Sequence, residues 1–104
     1  MARCRSCRPV PEEVRRAADL LERRWTISVV YASFDGAARF NEFKAACGGR
    51  IPPRTLAERL RELEEAGVLE KHVVPASPPY YEYRLTKRGR RLAPVVEALA
   101  ALAR

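Results

Sequence analysis

Within "PPRTLAERLRELEEAG" (residues 52–67), four side chains, Arg54, Thr55, Glu58 and Arg61, come early enough in a helical pattern to act as one hydrogen-bonding set. With Leu56 at zero and about 100° per residue, Leu60 and Leu63 fall within about 40° of it. Arg54, Glu58, Arg61 and Glu65 lie opposite, with Thr55 and Glu62 to one side. Such a face can read base edges: arginine forks onto guanine O6 and N7, glutamate accepts from cytosine N4, and threonine meets a thymine methyl. The order of charges argues for an anionic partner too. A helix dipole favours acids early and bases late, yet Arg54 opens this segment and Glu62, Glu64 and Glu65 close it. The competing reading is a solvated face paired with itself, because Arg54–Glu58 and Arg61–Glu65 have i,i+4 spacing worth about 0.2–0.5 kcal/mol per pair. Arg59 lies nearer the leucine seam, and either braces the fold or reaches a phosphate.

The cysteines offer a second chemistry. Cys4-Arg5-Ser6-Cys7 is a lone CxxC flanked by Arg3 and Arg8, and neighbouring positive charge favours the reactive thiolate. Cys4 and Cys7 are therefore candidate redox thiols, with an inert arm as the alternative. A structural zinc site needs four ligands, and only Cys47 and His72 remain to complete one; no metal and no cofactor is expected, with an intersubunit site from two CxxC pairs as the minor alternative. Cys47 reads as core. One histidine, no nucleophile–base–acid set and no phosphate-cradling glycine loop argue against an enzyme.

These residues need elements to hold them. Residues 1–11, "MARCRSCRPVP", read as a flexible basic arm, and residues 12–104 as a single domain. From Glu12, Val14, Ala17, Ala18 and Leu21 mark one helical face. "RRWTISVVYASFDG" is apolar nearly all round and suits a buried helix, although its β-branched residues also suit a strand. "RFNEFKAACGG" predicts a short helix capped by Asn41, with Phe43 and Cys47 inward and Gly48-Gly49 as its stop. Pro53 suits the first position of the next helix, and Gly67 ends it. Periodicity then alternates: "VLEKHVV" and "YYEYRLT" form a hairpin around the proline-rich "PASPP". Thr86 is a helix cap, and the last helix carries Leu92, Val95, Val96, Leu99 and Leu102, bent by Pro94. The order reads as three helices, a hairpin and a long helix. A helix-turn-helix followed by a hairpin wing is a mainly α, winged helix-turn-helix fold.

Composition narrows the partners. Lys and Arg total 20 against 13 Asp and Glu, for a net charge of +7. That balance favours nucleic acid or an acidic membrane surface, unless it reflects only an arginine-rich genome. No apolar run approaches the ~18 residues of a membrane span and no signal-peptide pattern opens the chain, so a cytoplasmic location without membrane attachment is expected.

"RWT" at 24–26, "RFNEF" at 39–43, "RTLAERLRELEEAGVLEK" at 54–71, "PPYYEYRLT" at 78–86 and "GRRL" at 89–92 together resemble HxlR-type bacterial transcription regulators, winged-helix proteins of MarR-like architecture. The match runs in order over about residues 12–102. The resemblance implies a homodimer on operator DNA, joined through its first and last helices. It also points toward thiol sensing, since some such regulators respond to electrophiles or oxidants. Two departures stand out: Glu22-Arg23 replaces the usual Gly-Gly, and Glu12 occupies a position where many members carry cysteine.

The expected assignments follow. Arg54, Thr55, Glu58 and Arg61 face the major groove of double-stranded DNA. Arg59, Lys71, His72, Arg84, Lys87, Arg88 and Arg90 are candidate backbone or wing contacts, with Arg91 beside them. Tyr81 and Tyr83 read as half-buried strand residues. Leu20, Leu21, Val95, Leu99 and Leu102 form an apolar face for a second copy of the chain, while Leu92 and Val96 pack on the core. A small molecule or an oxidant is the expected class of effector. A protein-interaction module binding an acidic partner is the alternative from a different class, and it would lack the steep salt dependence of a DNA binder.

Overall fold

In the computed structural model, which describes residues 7–104, Pro53 opens a helix where its missing N–H costs nothing. The helices are α1 (Glu12–Glu22), α2 (Thr26–Phe34), α3 (Phe40–Ala46), α4 (Pro53–Glu65) and α5 (Ala93–Leu102). Strands β1 (Leu69–Val74) and β2 (Tyr80–Leu85) pair antiparallel between α4 and α5, with Leu69 opposite Leu85 and Val74 opposite Tyr80. Four helices precede the hairpin, not three. The ambiguous apolar run is the helix α2, and its buried residues Thr26, Val29, Val30, Ala32 and Ser33 follow helical spacing.

Two capping expectations are corrected. Helix α3 starts at Phe40 after Arg39, so Asn41 lies inside it rather than capping it. The cap comes from Glu42, whose carboxylate accepts from the backbone N–H of Arg39 (2.8 Å) and of Ala38 (3.0 Å). Those bonds, Arg39's first, hold its carboxyl below the ordinary value. Helix α5 begins at Ala93, which places Pro94 in the first turn, where proline is tolerated, so it bends nothing. The preceding Gly89–Leu92 forms a separate 3-10 turn. Thr86 caps that turn, accepting from the Gly89 N–H at 2.9 Å.

The core gathers Val29, Phe43, Ile51, Leu56, Leu60, Leu63 and Leu69, each at most 2% exposed. Cys47 is buried with them, as expected, and Leu92 and Val96 pack against them. Neither α1 nor α5 contains a buried residue, although both pack on α2. Among the described residues, no helix is long and apolar enough to cross a membrane.

The join between wing and α5 is tight. The Thr86 hydroxyl donates to the Gly67 carbonyl, and its backbone N–H donates to the Val68 carbonyl at 3.1 Å. Gly89 lies directly on that carbonyl: a Cβ there would stand 2.1 Å from the Val68 oxygen. The obstacle is backbone, which cannot swing aside. Gly89→Ala is therefore expected to cost at least about 1–3 kcal/mol, the usual range for overpacking, read as a lowered melting temperature in a calorimetric scan.

Candidate nucleic-acid interface

Helix α4 divides as its sequence implies. Leu56, Leu60 and Leu63 are fully buried, whereas the side chains of Arg54 and Arg61 are 93% and 61% exposed. No acid occupies the first turn and no base the last. Both i,i+4 pairs form: Arg61 to Glu65 at 2.9 Å, and Arg54 to Glu58 at a looser 3.8 Å. Exposed pairs of this kind contribute little and exchange readily for another partner. Thr55 and Glu58 are half-buried. Ala57, which the sequence reading passed over, is exposed in the same stretch as Arg54 and Arg61. Its methyl group is small enough to let the helix backbone approach a partner closely.

Arg59 braces the fold. Its Nε donates to the Arg24 carbonyl at 2.9 Å, and its Nη1 meets Glu62 at 2.8 Å. The second Glu62 oxygen takes Arg23 at 3.0 Å. One carboxylate thus ties α4 to the junction of α1 and α2, where Trp25 is held left-handed at φ 78°. Arg23 itself is extended (φ −63°, ψ 138°), so the absence of glycine at 22–23 imposes no backbone strain.

The wing is fastened to α3. The Tyr83 N–H donates to the Ala38 carbonyl at 2.7 Å, and the Tyr83 ring meets Phe43 edge-on at 6.4 Å. The Arg39 guanidinium lies 3.8 Å from the centre of the Tyr80 ring. Tyr83 is half-buried as expected, but Tyr81 is 53% exposed because it lies near the hairpin tip, beyond the reach of the core. Lys71 caps the Tyr81 ring at 4.2 Å. The expected wing cations differ in what they meet. His72 lies against Glu70, and Arg84 pairs with Glu82, so the Arg84 charge is already partnered on that strand face. Lys87 and Arg90 are exposed with no acidic partner among the described residues. Arg88 points elsewhere, its Cδ packed over Gly67. Arg39 is an exposed cation that the sequence reading missed. Its signal was present in "RFNEF", where arginine sits at the start of the first helix of the helix-turn-helix pair.

This geometry, an arginine-tipped helix seated on a leucine seam beside an anchored wing, has a sequence counterpart. A family model described as HxlR-like helix-turn-helix matches residues 20–104. The chain belongs to the HxlR-like helix-turn-helix family. It is 41% identical over 81 residues to the HTH-type transcriptional regulator YvaP of Bacillus subtilis, covering 78% of this chain and 74% of that one. Other curated relatives are longer: the alignment spans 65% of sll1512 from Synechocystis, at 38% identity over 86% of this chain. Among solved structures, reduced YodB from B. subtilis matches with a TM-score of 0.78 at 33% identity, covering 91% of this chain and 92% of that one. Oxidized HypR, a redox regulator, matches at 0.79 and 37%, covering 86% and 92%.

In this HxlR-like chain the remaining expected residues are distributed as follows. Cys4 lies outside the described residues, and Cys7 is exposed. Cys47 is buried, and desolvation raises its thiol pKa, which disfavours the thiolate. Leu20 packs against the core and Leu21 is half-buried. On α5, Leu102 is 81% exposed, Val95 is 37% exposed and Leu99 is half-buried. Val14 on α1, 52% exposed, belongs to the same apolar surplus.

Arg59→Ala removes a charge-assisted bond to a backbone carbonyl and leaves Glu62 with one partner. We expect a loss of about 1–3 kcal/mol in urea unfolding, while Arg54→Ala leaves the midpoint unchanged.

Proposed function

We propose that this helix-turn-helix transcriptional regulator acts as a homodimer on an inverted-repeat operator, with residues 12–104 as the winged unit and residues 1–11 as a basic arm. The observation that carries this reading is the division of α4: three leucines fully buried, with Arg54 in its leading half and Arg61 just past its middle both held outward. In helix-turn-helix docking that leading half enters the major groove while the preceding helix crosses the backbone. Arg54, Thr55, Glu58 and Arg61 read base edges, with Ala57 between them permitting close approach. Lys87, Arg90 and Arg39 contact phosphates, which position the protein without reading sequence. Arg59 contributes indirectly, by bracing α4.

The second copy covers the helices that the core leaves bare. Val14 on α1, with Val95, Leu99 and Leu102 on α5, forms apolar surface that isologous pairing removes from water. The curated relatives named as transcriptional regulators support the DNA-directed reading. Net charge supports it as well, since +7 favours a polyanion.

Nuclease footprinting on a site selected from random duplex should give two-fold symmetric protection, with half-site centres about 10 bp or a multiple apart. On that site Arg61→Ala weakens binding by about 1–3 kcal/mol and relaxes one base preference. A one-sided footprint refutes the dimer, and equal losses on selected and random DNA reduce Arg61 to a phosphate contact.

A thiol response through Cys4 and Cys7 completes the proposal. It is supported by the arginines around the pair and by similarity to a protein named a redox regulator. On oxidation the two thiols lose two protons and two electrons as one S–S bond forms, and diamide takes them up as its N=N bond becomes a hydrazine. Diamide should change operator affinity in the wild type and not in the Cys4→Ser/Cys7→Ser variant. An equal response in both assigns sensing elsewhere.

A further inference from the structure

A cleft of about 550 Å³ opens between α1, the carboxyl end of α4 and the 3-10 turn before α5. Arg16, Arg88 and Arg91 line it against one acid, Glu13. Its remaining lining is apolar, formed chiefly by Leu20, Val68 and Leu92. Arg16 is engaged by Glu12 at 2.8 Å, but Arg88 and Arg91 have no acidic partner among the described residues. The stem of Arg88 runs beside the end of α4: its Cδ is 3.4 Å from the point where a Cβ on Gly67 would stand.

We propose that this cleft binds an amphipathic carboxylate, a single anionic group on an aromatic or medium-length alkyl body, and that its occupancy alters operator affinity. The volume falls within the range of about 300–1,000 Å³ found for small-molecule sites. Two guanidinium groups without an acidic partner among the described residues, those of Arg88 and Arg91, select an anion, and arginine matches a planar carboxylate through two parallel hydrogen bonds. The apolar lining selects the rest of the ligand, because a free phosphate or a nucleic-acid backbone leaves Leu20, Val68 and Leu92 uncovered. The cleft joins three parts of the molecule. Gly67, under the stem of Arg88, ends α4, the proposed reading helix. Leu20 lies on α1, one of the proposed dimerisation helices, and Leu92 leads into α5, the other. A ligand between them changes the angle at which each α4 is presented. This regulatory half rests on the proposed DNA-binding function; the binding half does not.

Isothermal titration of the full chain with 1-naphthoate tests the site, with 1-naphthamide as the uncharged counterpart. One saturable site per chain is expected, with binding about tenfold weaker for the amide and about tenfold weaker in Arg91→Ala. Arg91 is exposed, so its removal leaves the thermal melt intact; Ala17→Trp, which fills the cleft, is the second variant and abolishes binding. Equal binding of acid and amide, or an unaffected Arg91→Ala, overturns the site. Binding seen only in dilution-dissociated monomer assigns the cleft to a second copy of the chain and overturns it too. Operator titration with and without saturating 1-naphthoate should differ at least fivefold. Unchanged affinity overturns the regulatory half, whereas a chain that binds naphthoate but selects no DNA site refutes the DNA reading alone.

Discussion

Leu56, Leu60 and Leu63, sealed among side chains from α2, α3 and β1, set the rotation of α4 about its own axis. A helix is a cylinder, and apolar burial alone tolerates some rolling. The Glu62 carboxylate, gripped by Arg59 on one oxygen and Arg23 on the other, opposes that roll, and Arg59 extends the grip to the Arg24 carbonyl. The outward direction of Arg54 and Arg61 is a consequence of both. Apolar burial supplies most of the free energy and the ion pairs supply the angle. A similar division recurs at the wing, where Phe43 and Tyr83 provide contact area and the Tyr83–Ala38 bond fixes position.

Much of this was legible in the sequence. The leucine spacing, Pro53 and Gly67 predicted α4 with its ends, and the change to alternating periodicity predicted the hairpin. Local chemistry misled where two donors or acceptors competed. Asn41 is a good cap by type, but Glu42 reaches back to two backbone N–H groups at once and moves the helix start to Phe40. Pro94 suggested a bend because the turn before it continues the apolar pattern; its 3-10 geometry is set by Thr86 and by the crowding of Gly89 on Val68, neither visible from spacing.

The candidate site was legible on α4 and less so around it. Wheel geometry separates Arg54 and Arg61 from the leucines, but it cannot reveal that Arg59 closes onto a carbonyl 35 residues away in sequence. Basic residues on the strands all look alike as letters. In three dimensions His72 and Arg84 meet acids two residues away on their own strands, Lys71 lies over a tyrosine ring, and Arg88 turns toward the end of α4. Arg39 escaped notice because its distinction is a partner, Tyr80, on a different element.

The pairs Arg54–Glu58 and Arg61–Glu65 make each outward guanidinium the ward of a carboxylate one turn along. Exposed pairs of this kind are worth only about 0–1 kcal/mol, so another anion displaces the resident acid at small cost. A base edge that accepts both prongs of the fork offers geometry the acid does not. In the proposed docking, self-pairing thus parks both guanidinium groups outward until a partner that matches the fork takes them.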